Sequence, residues 1–315
     1  MDNPNFTIDL VYLWVDGNDP KWLAKYNSFI GNSEGTGEID CKGRYANNDE
    51  LKYSLRSVEK HAPWIRTIFI VTYDQTPDWI DATHPKIKIV HHKDIMPEAC
   101  LPCFNPSVVE YFLHKIPDLS EHFLYANDDM FFCADVQPDF FFARDGFPIV
   151  RLKRKPLGKL HYWGKFLTGK KPGRQRTVVY KASSLVEKKF GKYYFGIPHH
   201  NIDAYLKSDL RAIIEDVFRE EVEKSFFNRI RTSDDFERSI FSYYALAVGH
   251  GHLRYTRREE TIRVPVYKPD FMKYLHRYQP KLLCLNDCQH TTDNDRERIK
   301  PFLETLFPEK AAFEK

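Results

Sequence analysis

The sequence contains no long apolar run and only a few cysteines. A transmembrane helix needs about 18 or more consecutive apolar residues, and no such run occurs in the 315-residue chain. The first residues, MDNPNFTIDL, lack the basic and apolar regions of a secretion signal. Six cysteines are too few for a disulfide framework in a chain of this length. We therefore expect a soluble cytoplasmic protein in a reducing compartment.

Four of the cysteines raise the question of a structural zinc site. Cys100 and Cys103 form a C-x2-C pair, and Cys284 and Cys288 form a C-x3-C pair. Four thiolates can hold Zn²⁺ in a tetrahedral site. The two pairs lie far apart in the sequence, and free cysteine is a common small residue of protein cores. Burial without metal is therefore the favoured interpretation.

Glycine-rich phosphate loops are also absent. Neither G-x-G-x-x-G nor G-x-x-x-x-G-K-[ST] occurs in the sequence. Their absence argues against dinucleotide dehydrogenases and P-loop ATPases, which hold phosphate on the backbone of such loops. A bound phosphate would instead have to be held by a metal ion and by arginine side chains.

The order of the elements predicts an α/β fold with a mostly parallel sheet. Apolar runs predict strands at residues 8–15, in RTIFIVT, in KIKIVHH and in HFLYAND, and helical spacing predicts helices at residues 49–62 and 107–116. Beyond residue 182 the pattern is largely helical, most clearly at residues 203–223, 234–248 and 293–306. We expect a single domain whose α/β half is residues 1–150 and whose helical half is residues 182–315.

Two adjacent aspartates follow the fourth predicted strand. Asp128 and Asp129 interrupt the apolar stretch FLYANDDMFF, and burying a carboxylate without a partner costs several kcal/mol. A cation would remove that cost, and carboxylates at strand ends suit Mg²⁺ or Mn²⁺ bound to a diphosphate. Asp16 follows the first strand in the same way, although an aspartate before Gly17 also has an ordinary role in a turn.

Other polar residues near predicted helix starts are further candidates. His199 and His200 could supply a general base, and Arg229 and Arg231 have the shape for bidentate phosphate contacts. Near the C-terminus, the stretch CLNDCQH offers Asn286 and Asp287 as ligands for ribose, metal or sugar. Each of these residues, taken singly, is equally typical of ordinary protein surface.

Positive charge is concentrated in one segment. Residues 151–176, RLKRKPLGKLHYWGKFLTGKKPGRQR, contain ten Lys or Arg and no acidic residue. The segment is either a solvated loop or a docking surface for a polyanion or an anionic membrane, to which Tyr162, Trp163 and Phe166 could contribute. We expect a basic loop inserted between the two halves, and no nucleic-acid partner.

Several long stretches resemble the four conserved regions of the Stealth family of sugar-1-phosphate transferases. That family includes enzymes of bacterial capsule synthesis and the eukaryotic enzyme that makes the mannose-6-phosphate tag. The resemblance covers about two thirds of the chain and rests on these stretches: IDLVYLWVDGNDP; RYANNDELKYSLRSVEKHAPWIRTIFIVTYDQTPDWI with HPKIKIVHHKDIMPEACLPCFNPSVVEYFLHKIPDLSEHFLYANDDMFF; GIPHHNID through SFFNRIRTSDDFERSIFSYYALA; and CLNDCQHTTDNDRERIKPFLETLFP.

The resemblance implies a Rossmann-like, glycosyltransferase-type (GT-A) sheet, a nucleotide-sugar donor, a glycan acceptor and a divalent metal, Mg²⁺ or Mn²⁺. It implies transfer of a sugar-1-phosphate with release of a nucleoside monophosphate. The basic segment 151–176, separately, suggests attachment of the cytoplasmic protein to the inner face of the membrane. The residues that the resemblance assigns are Asp128, Asp129 and Asp287 for the metal, His199 or His200 and Arg231 for catalysis, and Asp16, Arg44 and Asn286 for nucleotide or sugar.

Two other functions remain compatible with the same residues. A conventional glycosyltransferase would use the metal but attack the sugar's anomeric carbon and release a nucleoside diphosphate. A non-catalytic module would instead bind an anionic glycan through residues 151–176. Replacement of the aspartate pair by alanine would leave such a module's binding unchanged.

Overall fold

The structure is a computed structural model that describes residues 6–30, 43, 45–170 and 172–315. Its strands are β1 (Ile8–Leu13), β2 (Ile68–Thr72), β3 (Ile87–His91), β4 (His122–Asn127), β5 (Met130–Phe132), β6 (Ile149–Arg154), β7 (Gly196–Pro198), β8 (Asp203–Leu206), β9 (His252–Tyr255), β10 (Thr261–Pro265) and β11 (Leu282–Asn286).

The described residues also form helices of varied length. The α-helices are α1 (Pro20–Ile30), α2 (Glu50–His61), α3 (His92–Ile95), α4 (Pro106–Tyr111), α5 (Gly158–Leu167), α6 (Arg174–Phe190), α7 (Lys207–Arg211), α8 (Arg219–Glu223), α9 (Ser239–Val248), α10 (Phe271–Tyr278), α11 (Asp293–Arg296) and α12 (Ile299–Leu306). Short 3-10 turns occupy Glu98–Cys100, Leu113–Lys115 and Pro138–Phe140, and a π-helical turn occupies Ala212–Val217.

The largest sheet has the strand order β3-β2-β1-β4-β8. The first four strands are parallel, and β8 lies antiparallel to β4 at the edge. In this register Leu13 at the end of β1 lies between Val71 of β2 and Asn127 of β4. The carboxyl ends of these strands therefore meet at one edge, where ligands of such sheets bind. The predicted mostly parallel α/β sheet is confirmed.

Alternate residues of the central strands enter two separate hydrophobic clusters. On one face, Leu10 and Tyr12 of β1 pack with Leu51 and Leu55 of α2. On the other face, Val11 joins a cluster that includes side chains of α6 and α9. Helices thus cover both faces of the sheet, and the nearly continuous apolar sequences of its strands follow from this double burial.

Two smaller sheets flank the large one. In the first, of order β10-β11-β5, β11 runs parallel to β10 and antiparallel to β5. The second has the order β7-β6-β9. Because β8 pairs with β4 and β11 pairs with β5, strands from residues 182–315 complete two sheets begun in residues 1–150.

Two details of the sequence prediction are wrong. Residues 203–206 form strand β8 and not the start of a helix, because Ala204 and its neighbours lie buried at the sheet edge against β4. The segment 151–176 is not a loop, since it contains the end of β6, all of α5 and the start of α6. Helix remains the commoner element beyond residue 182, as predicted, but β7 to β11 lie there as well.

A helix that crosses a membrane must be both long and apolar. Within the described ranges, no helix combines these two properties.

Candidate active site

A cavity of about 460 Å³ opens at the carboxyl edge of the large sheet. Its walls come from the residues after β1, β2 and β4, from the ends of β10 and β11, and from the start of α6. Polar residues in the lining include Glu50, Glu110, Asp128, Asp129, Arg174, His200, Arg231, Arg238, Arg263, Asn286 and Asp287. Acidic and basic side chains from distant parts of the chain therefore face one space.

Three of the carboxylates that line this cavity, Glu50, Asp128 and Asp129, influence one another. Asp128 and Asp129 occupy the two-residue turn at which the chain leaves β4 and enters β5 in another sheet. Glu50, the first residue of α2, accepts hydrogen bonds from the backbone N–H (2.6 Å) and the side-chain amide (2.7 Å) of Asn48. Burial raises the pKa of Glu50 to about 7, and the charge of Asp129 adds to this effect. Burial, followed by the charges of Glu50 and Asp129, raises the pKa of Asp128 well above its usual value.

The chemistry of these carboxylates suits a divalent cation. Like charges brought together in a buried place hold protons unless a cation replaces them, and oxygen ligands of this type suit Mg²⁺ or Mn²⁺. His200 and Cys284 also lie close, since one potential ligand atom from each and from Asp129 all fall within 4.8 Å of one another. Sequence reasoning identified the aspartate pair and missed Glu50, which resembles an ordinary acidic residue of a helix's first turn.

Strand β11 holds Asp129 in place. The backbone N–H of Leu285 donates to the carbonyl of Asp129 at 2.9 Å, and the Cys284 thiol donates to the Asp129 carboxylate at 3.4 Å. Burial and the neighbouring Asp129 charge raise the pKa of Cys284 well above its usual value. The sulfur is therefore a neutral hydrogen-bond donor that orients the carboxylate.

The cysteines do not form the four-thiolate group considered above. Cys100 and Cys103 are buried in a hydrophobic cluster with α9, and burial raises the pKa of both thiols. Cys284 lies at β11 beside Asp129, and all four cysteines of the two pairs belong to the described part of the chain. Among described His, Cys, Asp and Glu residues, the one group of three whose potential ligand atoms lie within 4.8 Å of one another is Asp129, His200 and Cys284, and it contains a single cysteine.

The two adjacent histidines have different surroundings. His199 is buried outside the cavity lining, where its Nε2 lies 2.8 Å from Asp203 and its Nδ1 lies 3.2 Å from the Thr261 hydroxyl. His200 lines the cavity, and its Nδ1 lies 3.2 Å from Nη2 of Arg238. Since an arginine N–H can only donate, Nδ1 of His200 accepts this bond and neutral His200 carries its proton on Nε2.

Of the two arginines predicted to bind phosphate, one faces the cavity. Arg231 lines it, whereas the guanidinium of Arg229 donates to the carbonyls of Pro102 and Ala99, both at 2.9 Å. Three further arginines that sequence reasoning did not assign to the site also line the cavity, namely Arg174, Arg238 and Arg263. The sequence does not identify these arginines as site residues, because each lies within or beside a helix or strand and no recognisable motif surrounds it.

The remaining predicted ligands divide between the cavity and its surroundings. Asn286 and Asp287 line the cavity, but both Asp287 oxygens accept hydrogen bonds from Arg296, at 2.7 and 3.2 Å. Asp16 lies beside the lining, where its carboxylate accepts from the backbone N–H of Asn18 at 2.9 Å and closes a turn. Arg44 lies outside the described residues.

An aromatic group forms part of the cavity wall. Trp22, Tyr45, Tyr73 and Phe104 all line the cavity. The ring centroid of Trp22 lies 5.1 Å from that of Tyr45 and 5.5 Å from that of Phe104, and the Tyr73 and Phe104 centroids are 5.8 Å apart. Such rings offer a flat, partly apolar surface to a planar ligand such as a nucleobase.

A second, more open cavity of about 520 Å³ lies between residues 46–49 and helices α11 and α12. Its charged side chains pair with each other, as Lys300 does with Asp49 at 2.8 Å and Arg296 with Asp293 at 2.8 Å. The acidic group and the arginines that suit phosphate chemistry are in the first cavity.

A buried carboxyl group also lies beneath the arginines. Glu110 accepts a hydrogen bond from the Tyr125 hydroxyl at 2.8 Å, and the same hydroxyl lies 3.1 Å from the side-chain oxygen of Asn127. Burial raises the pKa of Glu110 to about 7, although the charge of Arg238 works in the opposite direction. Glu110 therefore releases its proton near neutral pH in the folded state.

We expect Glu110→Gln to change how stability depends on pH. Because the pKa of Glu110 is about 7 in the folded state and the ordinary value is 4.5, its protonated carboxyl group contributes fully to stability below pH 4.5. This contribution is lost as the pH rises from 4.5 to about 7. Glutamine does not titrate, so the free energy of unfolding of the variant should rise by up to about 3 kcal/mol relative to that of the wild type across this pH range. Urea unfolding at pH 4.5, 6 and 8 measures the difference. Glu220→Gln, an exposed change on α8, should show no such trend.

The fold and this cavity define a class of protein. It is a mostly parallel, Rossmann-like α/β protein whose strand ends present carboxylates and arginines to one ligand space. Among solved structures, galactosyltransferase LgtC in complex with donor and acceptor sugar analogues is similar, with a TM-score of 0.47 and 13% identity over 95% of this chain and 96% of that chain.

Sequence comparison identifies the family. The family models described as Stealth protein CR1, conserved region 1, and Stealth protein CR2, conserved region 2, match residues 6–34 and 44–150. The capsular polysaccharide phosphotransferase cps12A of Actinobacillus pleuropneumoniae is 32% identical over 93% of this chain and 80% of its own length. The chain belongs to the Stealth family, as the sequence motifs predicted.

Another relative is considerably longer than this chain. The capsular polysaccharide phosphotransferase SacB of Neisseria meningitidis serogroup A is 31% identical over 100% of this chain. The chain spans 58% of the length of SacB.

Proposed function

We propose that this protein transfers a sugar-1-phosphate from a nucleotide-diphosphate sugar to a hydroxyl group of an acceptor glycan in capsular polysaccharide synthesis. The observation that supports the proposal best is the meeting of Glu50, Asp128 and Asp129 with Arg231 and other arginines in one cavity. A diphosphate between two organic groups needs both a cation and arginines to hold its oxygens. The names of the relatives SacB and cps12A support phosphotransfer in the same type of pathway.

The reaction is a displacement at the phosphorus that bears the sugar. The acceptor oxygen forms a new bond to this phosphorus, the bond to the bridging oxygen breaks, and a nucleoside monophosphate departs with the electron pair. Such transfers depend chiefly on alignment and on neutralising charge. In the proposal, Arg231 and Arg263 hold phosphate oxygens, and Asn286 positions nucleotide or sugar.

The acidic group would hold the divalent cation. Asp128 and Asp129 are the predicted ligands, and the position and raised pKa of Glu50 add it as a third. When bound, Mg²⁺ or Mn²⁺ would neutralise charge on the diphosphate. Asp287, also predicted as a ligand, is paired with Arg296 and in our proposal it supports the cavity wall.

His200 is the proposed base, because it lines the cavity whereas His199 is held by Asp203 and Thr261. The lone pair of neutral His200 is on Nδ1, which accepts from Arg238. An anionic phosphate is a stronger acceptor for arginine than a neutral imidazole. We propose that bound phosphate takes over this arginine's hydrogen bond, after which Nδ1 accepts the proton of the acceptor hydroxyl.

The proposed donor site places the nucleobase against the aromatic wall of Trp22, Tyr45, Tyr73 and Phe104. This arrangement leaves the diphosphate between the carboxylates and the arginines. The proposal includes the cytoplasmic location predicted from the sequence. Asp16 and Arg44 keep their predicted role in binding nucleotide or sugar, with Asp16 acting from its turn beside the cavity.

Analysis of both products tests the proposal. The protein is incubated with a panel of nucleotide sugars, a short glycan primer and Mg²⁺, and the masses of both products are measured. A nucleoside monophosphate with a primer heavier by one sugar phosphate is the expected result. A nucleoside diphosphate with a primer heavier by the sugar alone would show a conventional glycosyltransferase and overturn the proposal.

A further inference from the structure

Helix α5 exposes a row of large apolar side chains. Leu160 and Leu167 have exposed fractions of 69% and 90%, and Leu157, Trp163 and Phe166 are about half exposed. These five side chains are called the α5 surface below. Positions 160, 163 and 167 have the i, i+3, i+7 spacing that puts side chains on one side of a helix. Isolated exposed leucines are common, but a contiguous group of this kind marks an interaction site.

An adjacent side of α5 is already packed. The ring of Tyr162 stacks on that of Tyr180 in α6 with centroids 3.8 Å apart, and Lys159 pairs with Glu187 at 2.7 Å. The helix is therefore anchored to α6 along one side. Trp163 and Phe166 of the α5 surface border this contact, since the ring centroid of Trp163 lies 5.8 Å from that of Tyr180 and the ring centroid of Phe166 lies 5.4 Å from that of Tyr162. Leu160 and Leu167 are the most exposed members of the surface.

The residues around the α5 surface are basic. Lys153, Arg154, Lys155 and Lys170 are exposed, Lys165 is partly exposed, and no acidic residue occurs between Asp145 and Glu187. Not every basic residue of the segment contributes. Arg151 is buried with its guanidinium 3.8 Å from the ring centroid of Phe140, and Arg174 pairs with Asp235 and Glu237 at the cavity.

We propose that the α5 surface docks the protein on an anionic lipid bilayer. Apolar side chains on one side of a helix, surrounded by lysine and arginine, match the interface of such a membrane, where acyl chains take up the apolar groups and headgroups pair with the cations. A polyanionic glycan would complement the lysines but offers no apolar phase for Leu160 and Leu167. The lipid surface is therefore the occupant that accounts for both features.

The position of α5 predicts which part of the protein would lie near the membrane. Its last residue, Leu167, is the most exposed of the five, and α6 begins seven residues later with Arg174 and Gln175, which line the cavity. A docked protein would thus hold its cavity close to the membrane surface. This inference concerns binding alone and does not depend on the proposed reaction.

Flotation of the full chain with vesicles tests the proposal. Vesicles of phosphatidylcholine with about one third phosphatidylglycerol should bind the protein at low salt, and pure phosphatidylcholine vesicles should bind it at least tenfold more weakly. Leu160→Glu with Leu167→Glu should weaken binding to the anionic vesicles at least tenfold. The matched control is Leu23→Glu, a change of an exposed leucine on α1, which should bind like the wild type.

A second pair of variants separates charge from apolar contact. Lys165→Gln with Lys170→Gln should weaken binding to the anionic vesicles by about fivefold for each lysine removed. Leu160→Ala with Leu167→Ala should also weaken this binding, and these changes add no charge. Circular dichroism melting confirms that each variant is folded. Unchanged vesicle binding by both leucine pairs overturns the proposal, as does equal binding to both vesicle types. Binding to dextran sulfate without binding to anionic vesicles would show a polyanion site instead and also overturns it.

Discussion

Replacing Asp129 with asparagine is expected to lower kcat/KM for the nucleotide sugar by at least about a thousandfold. Loss of one charged ligand from a metal that neutralises a diphosphate removes several kcal/mol of transition-state stabilisation, and each 1.36 kcal/mol corresponds to about tenfold in rate. The fold should survive, because Leu285 bonds the backbone of residue 129 and the Cys284 thiol can donate to the amide oxygen. Stability should be unchanged or higher, since repulsion with Asp128 and Glu50 is reduced.

The measurements are turnover by product mass and Mn²⁺ binding by electron paramagnetic resonance. The wild type should lose turnover in excess EDTA and regain it with Mg²⁺ or Mn²⁺, and the variant should bind Mn²⁺ weakly. Asp139→Asn, an exposed change outside the cavity, is the control and should behave like the wild type. Full turnover of the wild type in excess EDTA would contradict the proposed metal requirement.

The second large effect is expected from substitutions of His199 and His200, which should change different properties of the protein. His200→Asn should lower kcat by about 10² to 10⁴, the usual contribution of a general base, with little change in stability, because the asparagine side-chain oxygen takes the place of Nδ1 and can still accept from Arg238. His199→Asn should instead lower stability by about 1 to 3 kcal/mol, because asparagine does not reach the Nε2 position and the Asp203 carboxylate loses a buried hydrogen-bond partner.

Urea unfolding and single-turnover kinetics on both variants measure these effects. The crossed pattern, with activity lost in one variant and stability lost in the other, is the expected result. If His199→Asn loses kcat at unchanged stability while His200→Asn keeps it, then His199 is the base and the proposed assignment is wrong.

The strands and the aspartate pair could be predicted because their signals are local. Apolar runs such as IDLVYL and IFIVT indicate burial on both faces, and two carboxylates directly after a buried strand are costly unless a cation or hydrogen-bond donors compensate them. Parallel order then places Asp128 at the ligand edge without any knowledge of tertiary contacts. The mostly parallel sheet and helix α2 were predicted from such signals and are confirmed.

The site residues that could not be predicted from the sequence depend on contacts between distant parts of the chain. Glu50 begins a helix and has the sequence signature of a helix start, yet it is the third acidic group of the cavity. Arg238 precedes α9, and only the folded chain shows that it contacts both Asp203 and His200. A count of charges likewise could not show that Arg151 is buried against Phe140.

The order in which the chain is synthesised bears on when it can capture a cation. Asp129 and Cys284 are separated by 155 residues, so the ribosome completes the acidic turn long before strand β11 emerges to hold it. A nascent chain has its carboxylates early but lacks the support that keeps them together. Under the proposed function, the cation would be held only after β11 has been translated, and partial chains released before that point are expected to be inactive.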